Sequence, residues 1–123
     1  MDMFASAQNA KYRLFCSKHR EPGCWRVNAL EHGEAMRNKS AWVFPPFNMI
    51  GAAVGTMRRF KISGVLVVPK LPTAIWWAAV QALPRVRQCD IRSDPGAVSY
   101  GPRAPKGSNK AYLKNYTAIA VQW

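Results

Sequence analysis

The chain has 123 residues, nearly half of them apolar, which is enough for one domain with a buried core and no need of staples. Eighteen Lys and Arg against six Asp and Glu leave a formal charge of +12, and such an excess expects a polyanion, nucleic acid before a basic surface with no partner. Cys16, Cys24 and Cys89 lack disulfide-like spacing, which points to an intracellular, reducing compartment without separating organelle from nucleus; the longest apolar stretch, Ile75–Val80, is too short for a membrane span.

Met1–Ala5 is a short apolar run broken by Asp2, Ser6–Ala10 a polar turn, and Tyr12–Cys16 alternates as a strand should. The basic opening reads as strand, turn and strand better than as a targeting segment. Ser17–Gly23 is a charged loop closed by Pro-Gly, Cys24–Ala29 a further short strand, and Leu30–Lys39 a polar connection. Ala41–Phe44 is a compact strand stopped by Pro45-Pro46, whose missing N–H groups and fixed φ take the chain out of any sheet. From there Phe47, Ile50, Val54, Met57 and Phe60 recur at helical spacing, with Asn48 placed to cap and Arg58, Arg59 and Lys61 at the end where positive charge suits the dipole.

Ile62–Val68 contains VLVV, the strongest strand signal, and its unbroken apolar character suits a central strand covered on both faces. Thr73–Leu83 reads as a helix carrying Trp76 and Trp77, which lie about 100° apart and cannot share a face. Arg85–Ile91 is a weaker strand, Asp94–Asn115 a basic Gly/Pro-rich loop, and Tyr116–Trp123 a closing strand. Strands alternating with helices predict an α/β fold in one domain, residues 1–123, with the basic loop at about 94–115.

In open α/β sheets, ligands bind beyond the carboxyl ends of the strands, where the Pro-Pro falls. Its flanking rings either plug a core or frame a flat ligand such as an extruded base. The order of segments resembles the phage-type Dam (DNA N6-adenine) methyltransferases. It resembles still more the methyltransferase-like segment of DIRS-type retrotransposon polyproteins. The residues that carry the likeness are Asp2-Met3-Phe4-Ala5-Ser6 with Asn9, Pro22-Gly23, Asn28-Ala29-Leu30, Phe44-Pro45-Pro46-Phe47, Val67-Val68-Pro69 and Trp76-Trp77, spanning residues 2 to about 84.

The resemblance implies a minimal Rossmann-like, methyltransferase-type sheet flanked by helices. It also implies an S-adenosylmethionine site at Asp2 and an adenine clamp at Pro45, Pro46 and Phe47. Three departures stand against activity: Phe44 replaces the Asp or Asn whose oxygen would accept from the adenine amino group, Asn28 replaces an acid, and Ala5-Ser6-Ala7 replaces a glycine-rich turn. The expected function is therefore nucleic-acid binding by a catalytically degenerate relative, RNA before DNA, with no cofactor. Its setting would be an RNA–protein assembly, such as an organellar ribosome, with neighbouring proteins.

Phosphate contacts are expected from Lys11, Arg13, Lys18, Arg20 and Arg26 and from Arg103, Lys106, Lys110 and Lys114, with Phe47, Tyr100 and Tyr112 for stacking. The alternative is an active adenine-N6 methyltransferase using Asp2 and the Pro-Pro carbonyls; a third reading is a protein-interaction module using Trp76 or Trp77. Asp2 either binds cofactor or caps the turn at Ala5–Asn9. Cys16, His19, Cys24 and His32 faintly match a zinc knuckle, but buried thiols are the expected outcome and no metal is assigned.

Overall fold

The computed structural model describes residues 1–92 and 115–123. The expected contacts Arg103, Lys106, Lys110 and Lys114, with Tyr100 and Tyr112, lie outside the described residues. In chain order the elements are β1 (Cys16–Ser17), β2 (Arg26–Val27), α1 (Gly33–Met36), β3 (Ala41–Val43), α2 (Ile50–Phe60), β4 (Gly64–Pro69), α3 (Trp77–Gln81), β5 (Arg85–Arg92) and β6 (Asn115–Val121). Single 3-10 turns precede α1, at Ala29–Glu31, and α2, at Phe47–Met49. The fold is mixed α/β, and among the described residues no helix is long and apolar enough to cross a membrane.

The frame is a four-stranded mixed sheet in the order β3-β4-β6-β5. β4 runs parallel to β3 and antiparallel to β6, from Gly64 opposite Val121 to Pro69 opposite Tyr116. Leu66, Val67, Val68 and Pro69 are all buried, as an apolar run without alternation requires of a central strand. β5 closes the edge antiparallel to β6, with an irregularity between Arg85 and Arg87. Gly64 lets β3 approach β4: it sits at φ 148°, and a Cβ there would lie 1.9 Å from the Ala41 carbonyl oxygen.

α2 covers this sheet with Ile50, Ala53, Val54 and Met57, all buried against a core that includes Leu66, Val68, Val80 and Ile119. Ile50, Val54 and Met57 each contribute roughly 1.5–3 kcal/mol by leaving water, and Ala53 less. The helix ends at Lys61 in the left-handed conformation (φ 53°), whose N–H and that of Ile62 both return to the Met57 carbonyl. Asn48 does not cap it. The Met49 N–H donates to the Pro46 carbonyl (2.9 Å), so the proline box opens a 3-10 turn and moves the cap position to Met49.

The tryptophan helix is shorter than its sequence suggests. Residues 71–76 form turns closed by Ala74 N–H to Leu71 O and Trp77 N–H to Ala74 O, and Ile75 is left 99% exposed. Trp76 is buried and Trp77 half-buried, with ring centroids 6.0 Å apart.

The remaining strands are fragments. β1 and β2 pair in parallel over two residues each, and the expected Met1–Ala5 strand contracts to Asp2, which bridges in parallel to Phe15 on one side and Trp42 on the other. Four backbone hydrogen bonds make that junction: Asp2 N–H to Leu14 O, Cys16 N–H to Asp2 O, Met3 N–H to Trp42 O and Trp42 N–H to Met1 O. The order across the molecule is thus β2, β1, Asp2, β3, β4, β6, β5, with everything from β2 to β4 parallel.

Candidate functional site

Chain segments that leave parallel strands at the same end collect there, and here they enclose a cavity of about 810 Å³. Phe4, Ala5, Ser6, Asn9 and Lys11 line it from the loop after Asp2. Lys18 and His19 enter after β1 and Asn28 after β2, while Phe44, Pro45, Pro46 and Met49 come from the turn after β3. The volume lies within the range of small-molecule sites. The cavity has a polarity set by strand order. Lys18 and His19 follow β1 on one side of Asp2, while Phe44 and the prolines follow β3 on the other.

Asp2 is buried at 3% exposure, and both of its oxygens are engaged: Oδ1 accepts from the Phe4 N–H (3.2 Å) and Oδ2 from the Lys11 N–H (3.3 Å). Burial pushes its carboxyl above the ordinary aspartate range, against the lowering effect of those two donors. Its side chain thus organises the loop, although it also borders the cavity. The amino group of Met1 donates to the Ser40 carbonyl (2.8 Å).

The loop after Asp2 is closed on itself. The Ser6 N–H donates to Asn9 Oδ1 (2.7 Å), the Ala7 N–H to Glu21 Oε2 (2.8 Å), and the Asn9 and Ala10 N–H groups to the Ser6 carbonyl. Glycine-rich turns at this place bind phosphates by leaving backbone N–H groups open. Here side chains of the same chain fill those roles. The Asn9 contact is local, three residues from Ser6, but Glu21 does not stand out for this in sequence, because its contact joins loops 14 residues apart.

The proline box divides its two rings. Phe44 is half-buried, faces the cavity and packs edge-on against Tyr116 of β6, with centroids 5.7 Å apart. Phe47 is 45% exposed, does not line the cavity, and lies edge-on to Trp76 at 6.2 Å. The Pro46 carbonyl is already taken by Met49. Phe44 brings no oxygen to the site, as its side chain dictates.

Of the expected basic residues, Lys11 and Lys18 line the cavity, while Arg13, Arg20 and Arg26 are exposed outside it. Arg26 lies over the Trp25 ring at 4.8 Å and Lys39 lies near the same ring at 5.4 Å. Among the described residues the ion pairs are Arg37–Glu34 and Lys70–Asp90, so neither cavity lysine is in an ion pair, although the charge of Lys11 acts on the Asp2 carboxyl and lowers it. His19 and Trp42 join the lining without a strong sequence signal: His19 stood only in the weak zinc pattern, and Trp42 in a strand.

Among the described residues no group of three or more His, Cys, Asp or Glu is placed to hold a metal ion. Burial raises the Cys16 thiol to about 11, whereas the Glu21 N–H, with the Ser17 hydroxyl and Arg20, lowers that of half-buried Cys24. Cys89 is exposed on β5. Asn28, where the resemblance implies an acid, holds a left-handed conformation (φ 57°) while its N–H donates to the Ser17 carbonyl. No protein-family model, curated protein or solved structure matches the chain.

Proposed function

We propose that this chain is a nucleic-acid-binding domain with a Rossmann-like, methyltransferase-type core whose chemistry has been lost. It would work in a reducing compartment as part of an RNA–protein assembly such as an organellar ribosome. The observation that carries the reading is the pairing of an open basic surface with a proline box that begins with Phe44. Among the described residues, Lys11, Arg13, Lys18, Arg20 and Arg26 meet no carboxylate in an ion pair, which suits contacts to phosphates. The adenine amino group would find a ring at position 44, where an acceptor oxygen is required.

The core assignment is supported by strand order. Numbered by sequence, the parallel segments Asp2, β1, β2, β3 and β4 lie in the order 3-2-1-4-5, as do the first five strands of the doubly wound dinucleotide-binding order 3-2-1-4-5-6, and the cavity sits where that order reverses. That same placement favours the second reading, an active S-adenosylmethionine-dependent adenine methyltransferase with Asp2 at the cofactor. Against it stand the engaged Asp2 carboxylate and the closed Ser6–Ala10 loop.

The test is binding of a fluorescent single-stranded RNA across a salt series, beside calorimetric titration of S-adenosylmethionine. Salt-sensitive RNA binding is expected, with a slope that falls by about 1 in Arg20→Glu if that side chain meets one phosphate. No heat is expected from S-adenosylmethionine. Micromolar cofactor binding would favour the enzyme, and RNA binding that ignores salt would sink the phosphate reading.

A further inference from the structure

The cavity has lost the usual means of holding a nucleotide's phosphate and acquired another. Its loop N–H groups at Ser6 and Ala7 are occupied by Asn9 and Glu21, and its one lining carboxylate, Asp2, accepts from two backbone donors. Apart from the Cys16 thiol, which burial keeps protonated, the remaining lining groups with charge or the capacity for it are Lys11, Lys18 and His19. Lys18 and His19 occupy the end of the second parallel segment. In dinucleotide-binding folds an acidic residue there takes a ribose diol, and a basic side chain nearby accommodates a ribose phosphate instead. The sulfonium and ammonium charges of S-adenosylmethionine would meet the same two lysines with the wrong sign.

We propose that this cavity binds a phosphorylated nucleotide, with its phosphate on Lys18 assisted by Lys11 and His19 and its base on the far side of Asp2 against Phe44. Strand order sets that orientation, since Lys18 and His19 follow β1, Lys11 lies in the loop after Asp2, and the ring follows β3. Asn28, beyond β1, offers an amide within the same lining for a sugar hydroxyl. The inference rests on the nucleic-acid reading only for the source of the nucleotide: a terminal or extruded nucleotide of an RNA, or a free one.

The experiment uses the full chain freed of nucleic acid. Adenosine 3′-monophosphate, adenosine 5′-monophosphate, adenosine and S-adenosylmethionine are titrated separately, followed by the quenching of tryptophan fluorescence and by calorimetry. At least one monophosphate should bind about tenfold or more tighter than adenosine, because a charge-assisted contact is at stake. Lys18→Glu and Lys11→Glu, both at exposed positions, should each remove that preference while circular dichroism stays unchanged. Arg87→Glu, on β5 and outside the lining, should leave it intact.

Equal binding of adenosine and both monophosphates, or no binding of any, overturns the proposal. So does a phosphate preference that survives both lysine variants. A single-stranded RNA used as competitor separates the two readings. RNA that binds without displacing nucleotide, in a protein whose nucleotide preference maps to Lys18, supports the cavity as a free-nucleotide site. Nucleotide binding with no RNA binding also supports the cavity and overturns the nucleic-acid reading. RNA binding with no nucleotide binding does the reverse.

Discussion

The two halves of the molecule are built on different principles. β4, β5 and β6 run for six to eight residues and pair along their lengths, with Leu66, Val68 and Ile119 fully buried. Before β4, strands are two or three residues long, and Asp2 holds its place through single bridges on each side. There the loops are tied by side chains to backbone: Asp2 to Phe4 and Lys11, Asn9 to Ser6, Glu21 to Ala7. Long strands bury apolar area; short ones release the chain early and leave its polar ends gathered around a cavity. The second half acts as scaffold and the first as site.

The comparison breaks most severely at the seam. Gly64→Ala would drive a methyl group into the Ala41 backbone and separate β3 from β4, and we expect a loss of more than about 4 kcal/mol, exceptional for one methyl group. Chemical denaturation measures it, and a loss below about 1 kcal/mol would show that the seam adjusts freely. Within the scaffold, Leu66→Ala should cost roughly 2–5 kcal/mol, read from the same curves. A negligible cost would contradict a packed core around β4.

Smaller effects sharpen the contrast. Lys61→Gly should stabilise the protein by about 1 kcal/mol, since glycine adopts the left-handed turn after α2 without strain. Thermal unfolding of the two proteins decides it. Alkylation should take Cys24 and Cys89 before Cys16, because Cys16 is buried with its thiol raised to about 11; mass spectrometry of partly modified protein gives the order. Early modification of Cys16 would mean that the site half opens readily.

The weakest effect concerns Asp2. Its carboxyl is raised by burial, so the native state keeps the proton to higher pH than the unfolded chain does. Its contribution to stability is therefore greatest below the ordinary aspartate range and is lost as pH rises through the native value. The stability difference between wild type and Asp2→Asn should shift against the wild type as pH rises through and above the ordinary aspartate range. A shift in the opposite direction would mean that the two N–H donors outweigh desolvation.

Part of this was fixed by composition and local pattern. The unbroken VLVV run suits a central strand, and Ile50, Val54 and Met57 recur at helical spacing as a core-facing stripe should; the structure places both so. Pro45-Pro46 ended β3 for steric reasons that need no tertiary context. The absence of an acceptor at position 44 was equally plain, since no fold gives Phe an oxygen.

Tertiary structure decided the rest. Residues 71–76 became turns and left Ile75 exposed, although their composition suits a helix. Two-residue strands carry too little periodicity to be read, and Asp2 is a strand position only because Phe15 and Trp42 lie on either side of it. Five basic residues looked alike along the chain, yet only Lys11 and Lys18 reach the cavity, because strand order chose which loops meet. Glu21 closing the Ala7 N–H is a contact between loops, and local sequence carries no record of which loops will be neighbours.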